Sequence, residues 1–77
     1  MDDISERIAA ICRDAMGIPD LGIHEDLVAR GADSIVAVEV VSQIELDYRV
    51  SVADLFSSAP TIEALATAVH SQLQQQH

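Results

Sequence analysis

Short aliphatic side chains fall at helical intervals near both ends of this chain, and that spacing constrains the fold more than any other feature. Ile62, Leu65, Ala66, Val69 and Leu73 recur at offsets of three, four, seven and eleven. They mark one face of a helix over 61–73 that Thr61 is placed to cap. From Ile4, the residues Ile8, Ile11, Cys12 and Ala15 recur at four, seven, eight and eleven. They predict a helix over 3–16, with Asp3 and Glu6 as a capping pair and Gly17 before Ile18-Pro19 as its stop. Tyr48 and Phe56 are the only aromatics, so the interior must be built from Ile, Val, Leu and Ala packed closely, with Phe56 as the largest side chain available to fill it.

Between these helices, residues 17–33 contain Pro19, Gly22 and Gly31 and no sustained period, which reads as a long loop. Such a loop is unusual in a small domain, and Leu21, Ile23, Leu27 and Val28 are placed to pin it to the core. Asp33 or Ser34 then caps a helix over 34–46. Its Val and Ile residues would also suit a strand; the cap, the length and the Glu39 and Gln43 spacing favour helix. Ile35, Val36, Val38, Val40, Val41 and Ile44 cover more than one stripe of it, so part of this apolar surface stays exposed or meets a partner. A connection over 47–50 leads to a short helix over 52–57 bracketed by Ser51 and Asp54, and Ser57 to Pro60 form a turn. The period fails after Gln72, where fraying is expected. The expected fold is all-α: one domain over 1–77, a small four-helix bundle with three main helices, a short third helix and a long loop between the first two.

Composition excludes several functions. At 77 residues one core is the ceiling. Cys12 is the only cysteine, so no internal disulfide can form, and its apolar neighbours suit a buried, inert thiol. The amino terminus has no basic segment leading into an apolar run, and no stretch is long enough to span a membrane. A cytoplasmic protein is expected. Thirteen acids against four arginines give a net charge of −9, which repels nucleic acid and anionic membranes and suits basic protein partners. Residues 33–47 hold Asp33, Glu39, Glu45 and Asp47 and no base. His24, His70 and His77 lie far apart with no zinc or calcium spacing, and no phosphate loop, Gly-x-Ser-x-Gly elbow or nucleophile with an evident base is present.

Two stretches carry the function. Gly31-Ala32-Asp33-Ser34-Ile35 opens the apolar and acidic helix, and Leu55-Phe56-Ser57-Ser58-Ala59-Pro60-Thr61-Ile62 follows at a fixed distance. Alone, the first is a weak signal, because a serine at a helix start is most simply a cap. Together, and in the order of helix, pinned loop and Asp-Ser start, they resemble the phosphopantetheine-binding carrier proteins, the acyl and peptidyl carriers of fatty acid, polyketide and nonribosomal peptide assembly. The resemblance covers nearly the whole chain. It implies a non-catalytic carrier in which Ser34 bears 4'-phosphopantetheine, taken from coenzyme A by a separate phosphopantetheinyl transferase using magnesium. Acyl or aminoacyl groups are then held as thioesters on that arm. Asp33 is the flanking cap and recognition residue, and a helix N-terminus tolerates the new phosphodiester. Arg30, Ile35, Val36, Val38, Glu39 and Ser42 are the candidate partner surface.

Two positions depart from the usual pattern. Arg30 stands where these carriers commonly place an apolar residue, often Leu, and so is expected to face the phosphate or a partner. Val36 stands where many fatty acid carriers place an acid, and 36–40 is more similar to carriers of polyketide and peptide assembly lines. The expected partners are the transferase, an acyltransferase or an adenylating or ligase loading enzyme, and a downstream synthase or condensation enzyme, met by a monomer that is either freestanding or one module of a larger protein. Two other classes remain open: an unmodified interaction module using the Ile35, Val38 and Glu39 face, and a small hydrolase or transferase with Ser34 as nucleophile.

Overall fold

A computed structural model describes residues 3–75. Three long helices, α1 (Asp3–Met16), α2 (Ser34–Tyr48) and α4 (Ile62–Gln75), are joined by loops and by one four-residue helical turn, α3 (Leu55–Ser58). No strand occurs among the described residues. The all-α expectation therefore holds. Helix packing is confined mainly to α1 against α4 and α1 against α2, so α3 joins the long helices as a single turn.

α1 covers the expected span. Its C-terminus is closed by Gly17 at φ 68°, where the Gly17 N–H donates to the Asp14 carbonyl and the Ile18 N–H to that of Arg13. This paired closure needs a residue that tolerates the left-handed conformation. Asp3 is itself the first helical residue and lies with Glu6 in the first turn, so the residue before the helix, like Gln76 and His77, falls outside the described residues. Ile8, Ala9, Ile11 and Cys12 are buried against Val40 and Ile44 of α2 and Ile62, Leu65, Ala66 and Val69 of α4 in one core.

Three boundaries differ from expectation. α2 continues to Tyr48 and stops when Arg49 turns left-handed at φ 55°, its N–H donating to the Glu45 carbonyl at 2.7 Å; no glycine or proline marks that end. α3 begins at Leu55, after turns in which the Leu55 N–H donates to the Val52 carbonyl at 3.1 Å and the Phe56 N–H to that of Ala53 at 3.3 Å; the Ser51 and Val52 N–H groups ahead of them are accepted by the side chains of Gln72 and Glu45. Asp54 stands at its N-cap but makes no capping bond. α4 starts at Ile62, with Thr61 Oγ1 accepting the Ala64 N–H at 3.0 Å, and runs on to Gln75 through the stretch expected to fray.

The long loop is tied at both sides. Arg13 Nε donates to the Leu21 carbonyl at 2.9 Å, the Leu27 N–H to the Pro60 carbonyl at 2.8 Å and the Glu63 N–H to the Ile23 carbonyl at 3.0 Å. The loop thus supplies an acceptor for one of the unpaired N–H groups that open α4. Leu21 and Leu27 are fully buried and Ile23 packs against the core. Val28 does not pin the loop: it is 53% exposed, because the turn that seats Leu27 inward directs its neighbour outward. Phe56 is likewise only partly buried at the edge of the core, since the one-turn α3 lies over the bundle instead of entering it.

Candidate functional site

Ser34 is the first residue of α2 and is exposed. The preceding Asp33 has extended backbone, φ −92° and ψ −174°, and its Oδ1 accepts the Val36 N–H at 2.9 Å. Of the two capping candidates, Asp33 is the cap. Its carboxylate is engaged in holding the helix start, and the Ala37 N–H closes the first helical bond onto its carbonyl. Ala32, buried just before, donates its N–H to the Leu27 carbonyl at 2.9 Å, so the turn ahead of Ser34 is anchored through Leu27.

This geometry leaves the Ser34 hydroxyl facing solvent at the positive end of a 15-residue helix. Backbone N–H groups in the first turn and the helix dipole favour a phosphate ester there. No described side chain is hydrogen-bonded to Ser34 as a base would be, and His24 instead meets Glu63, Nδ1 to Oε2 at 2.9 Å. A phosphodiester-linked arm on the Ser34 oxygen therefore fits the residues present.

The candidate partner residues divide into two groups. Ile35, Val38, Glu39 and Ser42 are exposed on α2, Ile35 by 76% and Val38 by 66%. Leu46, one turn beyond Ser42 and 79% exposed, extends the same stripe; an expected helix end at this position hides it from a reading of period alone. Val36 is half-buried against the core. Arg30 faces neither α2 nor open solvent alone: its Nη1 donates to Glu25 Oε1 within the loop. Glu25 Oε2 accepts the Gly22 N–H, and these two bonds, the backbone one first, hold its carboxyl below the ordinary carboxylate value. In the sequence, only its spacing from Gly22 recommends Glu25.

A shallow groove of about 180 Å³ runs between α2 and α3, lined by Ala37, Val38, Val41, Ser42, Ala53 and Phe56. It is smaller than the pockets that enclose drug-sized ligands, roughly 300–1,000 Å³. Cys12 is fully buried, and burial pushes its thiol up to about 12, Arg13 pulling weakly the other way; it is no nucleophile. No helix among the described residues is long and apolar enough to cross a membrane.

Several known proteins are similar to this chain. The chain is 35% identical over 77 residues to bacitracin synthase 3 of Bacillus licheniformis, covering 99% of this chain and 1% of that protein. It is 43% identical over 37 residues to a linear gramicidin synthase of Brevibacillus parabrevis, covering 48% of this chain and 1% of that protein. With surfactin synthase subunit 2 of Bacillus subtilis it shares 31% over 68 residues, 87% of this chain and 2% of the synthase. The chain thus spans a very small part of these relatives. No solved structure matches. A family model described as "Phosphopantetheine attachment site" matches residues 6–69. Because that match runs from the first turn of α1 into α4, the chain belongs to the phosphopantetheine attachment-site family, whose members carry 4'-phosphopantetheine covalently.

Proposed function

We propose that this chain is a peptidyl-type carrier in which Ser34 bears the 4'-phosphopantetheine arm and α2 presents it to partner enzymes. The observation that carries the reading is the exposed Ser34 hydroxyl at the capped start of α2, in a chain of the attachment-site family. When bound, the arm supplies a thiol on which an acyl or aminoacyl group is held as a thioester. Asp33 fixes the helix start so that Ser34 is offered in one geometry to a transferase, which supplies the activation that this chain lacks. The chain itself is a substrate and carrier, not a catalyst.

The likeness to bacitracin, gramicidin and surfactin synthases favours nonribosomal peptide assembly over fatty acid or polyketide work. An adenylating enzyme is then the loading partner and a condensation enzyme the recipient. The apolar stripe of Ile35, Val38 and Leu46, with Glu39 beside it, offers those enzymes a surface of apolar centre and acidic rim.

The test is intact-mass spectrometry after incubation with coenzyme A, magnesium and a broad-specificity phosphopantetheinyl transferase. One phosphopantetheine increment is expected on the native chain and none on Ser34→Ala. Undiminished labelling of Ser34→Ala would remove Ser34 as the attachment site. A native chain that stays unlabelled would favour the unmodified interaction module.

A further inference from the structure

Four residues ahead of Ser34, the loop is stitched together by a contact that no backbone bond duplicates. Residues 26–31 form a closed turn: the Arg30 N–H donates to the Asp26 carbonyl at 3.1 Å, the Gly31 N–H to the Val28 carbonyl at 3.0 Å and the Ala29 N–H to Asp26 Oδ1 at 3.1 Å. Gly31, at φ 111°, reverses the chain into Asp33 and Ser34. A second turn precedes it, with the Glu25 N–H on the Gly22 carbonyl at 3.2 Å. The Glu25 side chain spans the two, one oxygen on the Gly22 N–H at 2.5 Å and the other on the Arg30 guanidinium. It lies so close over Gly22 that a Cβ there would sit 3.1 Å from Oε2. Val28, 53% exposed, rides on the turn so held.

We propose that Glu25 and Arg30 are a positioning pair that holds the 26–31 turn, with Val28 outward, beside Ser34 in the orientation a phosphopantetheinyl transferase binds. The inference rests on Ser34 as the attachment site. Arg30 acts through Glu25 and the turn, and not by touching the incoming phosphate, because its charge is already committed to the carboxylate. Both side chains are more than a third exposed, so the pair adds little to global stability. Its effect belongs in recognition, where a loosened turn must be ordered again on binding.

The test is steady-state transfer of phosphopantetheine to the native chain, Glu25→Gln, Arg30→Leu, Arg30→Lys and the Glu25→Gln/Arg30→Leu double variant. KM is expected to rise about threefold to fivefold in Glu25→Gln and Arg30→Leu with kcat little changed, the scale of one charged pair. Arg30→Lys should recover most of the loss, and the double variant should be no worse than Arg30→Leu, as coupled partners require. Melting temperatures should move by no more than about 5 °C. A raised KM in Arg30→Leu with none in Glu25→Gln would mean that Arg30 meets the transferase directly and would overturn the proposal. So would multiplied effects in the double variant or unchanged KM in both single variants. Failure of the attachment site looks different: the native chain takes no group, or Ser34→Ala takes one. Were Glu25→Gln unable to fold, Arg30→Leu and Arg30→Lys would still report.

Discussion

Gln72 clasps the backbone of Ser51 with both ends of its amide. The Ser51 N–H donates to Gln72 Oε1 at 2.9 Å, and Gln72 Nε2 donates back to the Ser51 carbonyl at 2.6 Å. One residue on, Glu45 Oε2 accepts the Val52 N–H at 3.0 Å. The connection between α2 and α3 is thereby fastened to α4 and α2 by side chains, while Val52 is sunk into the core.

Gln72→Ala removes both bonds of the clasp. A loss of about 1–2 kcal/mol in urea unfolding is expected, each bond being worth about 1 kcal/mol net and both lying near solvent. Faster amide exchange at Ser51 should accompany it. A loss below about 0.3 kcal/mol would show that water replaces Gln72 without cost.

Phe56 and Leu65 should separate clearly when truncated. Leu65 is fully buried between helices, and Leu65→Ala is expected to cost about 2–5 kcal/mol. Phe56 sits partly exposed in the groove beside Val38 and Val41, so Phe56→Ala should cost about 1–2.5 kcal/mol, well under the cost of a fully buried Phe. Thermal melts that rank Phe56 above Leu65 would contradict this packing.

α1 and α4 are legible because each carries a period, and α2 because a capping residue, Asp33, precedes an apolar run of helical length in which Glu39 and Gln43 stand one turn apart. What the sequence hides are features decided by tertiary partners. The end of α2 depends on Arg49 accepting a left-handed conformation, which arginine does not advertise. The bonds that hold the connection ahead of α3 come from Gln72 and Glu45, 21 and 7 residues away. Arg30 reads in the sequence as a residue facing the phosphate or a partner, and its bond to Glu25 is not foreseen because turn geometry is not written in hydrophobic period. Phe56 shows that size does not fix depth: the largest apolar side chain is set at the rim by the short helix that carries it.

Acid should unfold the native chain only slightly more steeply than Glu25→Gln, because the Glu25 and Arg30 side chains are exposed to solvent screening. The Gly22 N–H and Arg30 hold the Glu25 carboxyl below its ordinary 4.5, so the folded state binds this proton less readily than the unfolded one. The resulting stability is present above that ordinary value and is lost as pH falls through the lower folded one. Urea midpoints at pH 7, 4 and 3 should converge for the two proteins as pH drops. Parallel curves would mean that Glu25 titrates alike in both states.

Cys12 offers a reporter of opening that requires no engineering. Fully buried and pushed up to about 12, its thiol should resist iodoacetamide at pH 8 until the core opens, and mild denaturant should accelerate labelling in step with the unfolded population. Rapid alkylation of the native chain would place Cys12 at the surface.

Docking through α2 predicts a divided response to two substitutions. Ile35 and Val38 lie about one turn apart with Glu39 alongside, and all three are exposed, so changing them leaves the core and Ser34 intact. Glu39→Arg should slow encounter with a cognate loading or condensation enzyme, and the difference from the native chain should shrink as salt rises past physiological strength, where screening acts within about 8 Å. Ile35→Ala removes apolar contact instead, so its effect should persist at high salt and appear mainly as faster dissociation. Transfer kinetics at low and high salt distinguish these behaviours. Unchanged rates for both variants with a partner that loads the native chain would move the docking surface off α2, to the 26–31 turn or to the α3 side around Ala53 and Phe56.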